Sequence, residues 1–113
     1  PRRIEDSVKK IVRHEISELA HFKAAQLGKR INRITLRDTT SRWGSCTSDG
    51  TMNFNWKIII APMSIVDYVV AHELCHRIHH DHSKEFWKLL ERVMSDYQKR
   101  KEWLRVNGAL LDL

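Results

Sequence analysis

The chain has 113 residues, 42% of them hydrophobic and 30% charged, which is room for one soluble domain over residues 1–113 and too little for a multidomain machine. Twenty Lys and Arg against fourteen Asp and Glu give a net charge of +6, so a polyanion such as DNA is admitted as a partner without being required. Cys46 and Cys75 are too few for the disulfide framework of a small secreted protein, and the apolar run over residues 58–63 is short and broken by Pro62, so neither a membrane span nor a signal core is expected and the setting reads as reducing and cytoplasmic. Because the chain begins at Pro1 rather than methionine, upstream residues are expected to have been removed.

Ile4, Val8, Ile11, Val12, Ile16, Leu19 and Leu27 recur at three- and four-residue intervals, which predicts an amphipathic helix ended by Gly28. The period then shortens to two, with Ile34 and Leu36 between Arg33, Thr35 and Arg37, so a half-exposed strand is expected over residues 30–37. Asp49-Gly50 is a two-residue hairpin signal, followed by Met52, Phe54 and Trp56 alternating with Thr51, Asn53 and Asn55. Two further strands, and a three-stranded antiparallel sheet, are therefore expected. Pro62 and the capping-box pattern Ser64-x-x-Asp67 open a helix over residues 64–79. Further helices should start at Ser83 and near Asp96, the last ending at Asn107-Gly108.

The central helix carries His72-Glu73-Leu74-Cys75-His76, an H-E-x-x-H motif. Histidines four residues apart project from one helix face and suit two zinc ligands, while Glu73 lies about 100° around the axis, placed to act on a metal-bound water as general base. Ile65 and Val69 make the neighbouring surface apolar, and polar groups beside a core face need a partner, which a metal supplies.

A catalytic zinc usually takes three protein ligands. His82 stands ten residues after His72, the offset of the last histidine in H-E-x-x-H-x-x-G-x-x-H, although His79 occupies the glycine position. His79, His80 and the carboxylates Glu85 and Glu91 compete for the role, but His79 would sit about two turns along the axis from His72, too far to close a tetrahedron.

Arg42, His80 and Tyr97 are the candidates for a second oxyanion or transition-state group. Gly44 beside Trp43 permits close backbone approach, so Arg42, Trp43 and Gly44 are candidate substrate contacts on an edge able to pair with an extended peptide. Trp43 filling the core under the hairpin is the equal alternative. Cys46 reads as a small buried hydrophobe, and Cys75, about 100° from either histidine, as a non-ligand. Phe86, Trp87, Leu89, Leu90, Tyr97, Trp103 and Leu104 read as packing that holds His82 in place.

With these residues in view, the chain resembles the YgjP-like family of small zinc metallopeptidases, related to the WLM and SprT-like groups. The matching stretches are Ser41-Arg42-Trp43-Gly44-Ser45-Cys46, Asn55-Trp56, Ala61-Pro62, Asp67-Tyr68-Val69-Val70, His72-Glu73-Leu74-x-His76, His82-Ser83-x-x-Phe86-Trp87, Asp96-Tyr97 and Trp103-Leu104. The resemblance implies an α+β, zincin-like domain that cleaves a peptide or protein substrate, with zinc on His72, His76 and His82 and Glu73 as catalytic acid and base. Two other readings stand beside it: a nucleic-acid-associated, SprT-like protein, and a zinc-binding domain without catalysis.

Overall fold

The structure, a computed structural model, describes residues 2–37 and 43–108. In chain order they form α1 (Arg2–Gln26), β1 (Arg33–Arg37), β2 (Gly44–Cys46), β3 (Thr51–Asn55), a short 3-10 helix (Trp56–Ile60), α2 (Met63–Cys75), α3 (Lys84–Val93) and α4 (Tyr97–Asn107). The fold is α+β, as expected.

The buried row of α1 is Val12, Ile16, Ala20 and Ala24, a strict four-residue repeat whose two alanines allow close approach to the rest of the core. Ile4 and Ile11, expected on the core face, are each 63% exposed, because Ile11 lies about 100° around the helix from Val12. Gly28 ends the helix as expected: at φ 68° it turns Lys29 N–H back to the Ala24 carbonyl and donates its own N–H to Ala25, a Schellman closure.

The sheet is mixed rather than wholly antiparallel. Its order is β1-β3-β2, with β1 parallel and β2 antiparallel to β3. Met52 and Phe54 have no exposed surface, so β3 takes the central position, and the chain from β1 crosses to the far edge before turning back. That turn is a three-residue loop rather than the two-residue one expected. Thr47 and Thr51 close it, Gly50 takes the positive φ of 92°, and the Asp49 carboxylate accepts from Thr51 N–H and the Thr47 hydroxyl.

α2 runs through the core with Ile65, Val66, Tyr68, Val69, Val70, Ala71, Leu74 and Cys75 buried. It starts at Met63 behind Pro62 without a side-chain cap, and the expected capping box does not form. Asp67 instead binds Lys23 of α1 (2.7 Å) and Arg100 of α4 (3.2 Å). The helix also ends four residues before the expected His79. His76, Arg77 and Ile78 donate their N–H groups three residues back, tightening the last turn so that the chain can reverse. At α3, Ser83 caps as expected, accepting from Phe86 N–H, and Asp81 accepts from Ser83 N–H. Asp96 precedes α4 without capping it and pairs with Arg100 at 3.1 Å.

Candidate metal centre

The early end of α2 and the N-terminus of α3 bring three imidazoles together. His82 Nε2 lies 3.2 Å from His76 Nε2 and 3.3 Å from His72 Nε2. Two nitrogens held about 2.0–2.1 Å from one zinc at tetrahedral angles are about 3.3–3.4 Å apart, so the spacing is that of ligands around a common ion. Among the described residues the group able to hold a metal is His72, His76 and His82; Glu85 and Glu91 do not belong to it.

The other ring nitrogens are also engaged. His76 Nδ1 is 3.0 Å from the His79 carbonyl, so Nδ1 carries the proton there and Nε2 keeps its lone pair. His79 thus contributes its carbonyl to the site. His72 Nδ1 is 3.3 Å from the Tyr68 hydroxyl. Burial, then the nearby His76, His82 and Lys101, push His72 down to about 3, and burial chiefly lowers His76 as well. Both rings are therefore neutral at neutral pH, the state a metal needs.

Aromatic packing fixes the rings. Phe86 stacks on His76 (4.4 Å between centroids, 20° between planes) and Trp87 on His82 (5.6 Å, 24°). Trp87 in turn stacks on Tyr97 (5.7 Å) and lies under the Lys101 ammonium (4.3 Å). The expected role of these aromatics in holding His82 agrees with this packing. The same contact takes Tyr97 out of the cleft: it is buried behind Trp87 and is not among the cleft residues.

The cleft has a volume of about 540 Å³. It is lined by Tyr68, Val69, His72, Glu73 and His76 of α2 and its last turn, by His80 and His82 after it, and by Trp43 and Leu104 from β2's approach and α4. Glu73, 8% exposed, packs beneath β2. A Cβ at Gly44 would stand 3.2 Å from Glu73 Cγ and 3.1 Å from Phe54 Cδ1, so a larger residue would have to push the strand or the carboxylate-bearing side chain aside by a few tenths of an ångström. Trp43, for which a substrate contact and a core role were equal alternatives, lines the cleft and packs against Ala61 and Ile65. Arg42 lies outside the described residues.

Two residues were not anticipated. Tyr68 is one turn before His72, an i to i+4 partner that the helical spacing already contains; burial, then Glu73 and Tyr97, raise its phenol to about 12. Cys46 was expected to be buried but is partly exposed and faces the cleft, because its strand is an edge. Cys75 is fully buried and free, in keeping with its expected absence from the ligand set.

The profile of the YgjP-like, metallopeptidase domain matches residues 1–107. The chain belongs to the YgjP-like metallopeptidase family. Its fold is similar to that of the metallopeptidase zymogen abylysin from Pyrococcus abyssi, with a TM-score of 0.71, 19% identity, and coverage of 84% of this chain and 94% of that one. It is also similar to the zymogen jannalysin from Methanocaldococcus jannaschii, with a TM-score of 0.67, 18% identity and coverage of 84% and 96%. No curated protein sequence matches the chain. This YgjP-like protein is a metal-dependent peptidase, and no helix among its described residues is long and apolar enough to cross a membrane.

Proposed function

We propose that this YgjP-like peptidase uses zinc held through Nε2 of His72, His76 and His82, with Glu73 as general base and acid. The observation that carries the reading is the 3.2 and 3.3 Å separation of the three Nε2 atoms. Bound there, zinc supplies a Lewis acid that polarises a peptide carbonyl and lowers the pKa of water toward about 7. The Glu73 carboxylate takes the proton of the attacking water and delivers it to the leaving amide nitrogen. His80, which lines the same cleft, is the candidate hydrogen-bond donor to the developing oxyanion.

An extended peptide is the substrate this cleft suits. Asn55 N–H binds the Trp43 carbonyl and Thr47 N–H the Thr51 carbonyl, so the odd-numbered residues of this stretch face β3. By antiparallel alternation, Gly44 and Cys46 turn their N–H and C=O groups to the outer edge. A peptide pairing there lies over the histidines with its backbone held and its side chains alternating. Trp43, Val69 and Leu104 offer an apolar surface to one of those side chains. A cytoplasmic setting fits the two free thiols.

Elemental analysis and casein hydrolysis test the assignment. About one zinc per chain in the parent and in Glu73→Gln, weaker zinc binding in His82→Ala, and hydrolysis by the parent alone are expected. Full zinc affinity in His82→Ala moves the third ligand elsewhere, and hydrolysis by Glu73→Gln at the parent's rate removes Glu73 from the chemistry.

A further inference from the structure

Tyr68 is buried, 4% exposed, yet it lines the cleft, and its hydroxyl lies 3.3 Å from Nδ1 of His72. Within the described residues that contact is the one hydrogen bond the Tyr68 side chain makes. A hydroxyl both donates and accepts, whereas a neutral imidazole has one N–H and one lone pair. The direction of this bond therefore depends on which nitrogen of His72 carries the hydrogen.

If His72 engages a metal through Nε2, its ring hydrogen must be on Nδ1, and Tyr68 must accept it. The phenol hydrogen is then released from His72, beside the cleft that Tyr68 lines. When the hydrogen is on Nε2 instead, the same bond runs the other way and Tyr68 spends its hydrogen on His72. Metal occupancy and the orientation of the Tyr68 hydroxyl are thereby linked through a single proton position.

We propose that Tyr68 accepts the Nδ1 hydrogen of His72 and so orients the ring for a metal on Nε2 and, in that state, presents its own hydroxyl hydrogen to the cleft as a donor to a carbonyl oxygen of the substrate peptide. The inference rests on His72 being a metal ligand and adds a residue that supports the ligand on one side and the substrate on the other. Its position also suits the donor role, because Tyr68 lines the same cleft as His72 and Glu73, one turn before them on α2.

Long-range proton–nitrogen NMR of the zinc-loaded parent reads the tautomer directly and needs no variant. The hydrogen is expected on Nδ1 of His72; finding it on Nε2 overturns the proposal. Chelator competition on Tyr68→Phe should show zinc affinity lower by about tenfold, and casein hydrolysis at saturating zinc should still fall by about tenfold, the loss of one hydrogen bond. Unchanged zinc affinity overturns the positioning role, and full hydrolysis by saturated Tyr68→Phe overturns the donor role. His72→Ala separates the two levels: if it binds zinc as tightly as the parent, the metal assignment fails rather than the Tyr68 argument. If the parent leaves casein intact, the peptidase reading is what fails, and the tautomer and affinity measurements still decide the role of Tyr68 toward His72.

Discussion

The two edges of the small sheet are built differently. β1 carries exposed Arg33 and Arg37, and Leu36 borders a groove lined by Lys9, Lys10 and Arg13 of α1. β2, at the other edge, is Gly44-Ser45-Cys46, with no charge and little bulk, and all three residues border the cleft. An unpaired edge invites other strands, and long charged side chains are a common way to discourage them. The contrast teaches that, among the described residues, the edge beside the histidines is uncharged while the far one carries arginines, the difference expected if the first is the proposed peptide-binding edge.

Filling the open edge is the strongest way to break this contrast. Gly44→Val would drive a side chain against Glu73 Cγ, the Asn53 carbonyl and Phe54, displacing strand and carboxylate together. Casein hydrolysis is expected to fall by about a hundredfold, the scale of an ångström-sized misplacement, with zinc content retained. Arg33→Ala on the guarded edge should change hydrolysis by less than about twofold, in line with a surface substitution away from the site. Equal losses in the two variants would show that the edges do not differ in function.

Next in size is the support of the exposed ligand. His82 is the one solvent-exposed histidine of the three, and Trp87 is the ring stacked on it. Trp87→Ala should lower zinc affinity by about tenfold and leave His72 and His76 able to bind more weakly. Chelator competition measures this, and parent-like affinity would mean that the loop alone holds His82.

How much of this was legible in the sequence follows from the range of each signal. The H-E-x-x-H face, the offset of His82, the Ser83 cap and the Gly28 stop are set by residues within a turn or a loop of one another, and the structure has them where they were expected. The strand order was not legible, because the pairing of β1 with β3 joins Arg33 to Thr51 and Arg37 to Asn55 across the whole intervening hairpin, and alternation looks alike in either direction. Ser64-x-x-Asp67 misled for a related reason: a short-range capping pattern lost to long-range partners, Lys23 and Arg100. The end of α2 was overrun because periodicity continues through His79, while the geometry is decided by the reversal that returns His82.

Those charges make a smaller, separate prediction. Asp67 ties α2 to α1 and α4 in a setting where its side chain is 27%, that of Lys23 13% and that of Arg100 22% exposed. Removing the carboxylate leaves the partly buried Lys23 uncompensated and Arg100 with Asp96 as its remaining carboxylate. Asp67→Ala should cost about 2 kcal/mol, less than the loss for a fully buried pair because solvent screens part of the charge. Thermal unfolding should move down by about 10 °C, whereas a shift under about 2 °C would make the cluster a surface feature.

The smallest expected effect sharpens the open edge itself. Burial chiefly raises the Cys46 thiol to about 11, with Arg77 pulling it down and Glu73 pushing it up. The thiolate is the reactive form, so in the metal-free chain alkylation of Cys46 by iodoacetamide should be slow at pH 8 and quicken about tenfold per pH unit until near pH 11. The sign for stability is the matching one: a thiol held protonated in the fold but ionised in the unfolded chain costs stability as pH rises from about 9 through 11. Glu73→Gln removes a negative charge that opposes the thiolate, so alkylation at pH 8 should quicken by a few-fold, and Arg77→Gln should slow it. Identical rates in all three proteins would place Cys46 beyond the reach of Glu73 and separate the open edge from the carboxylate beneath it.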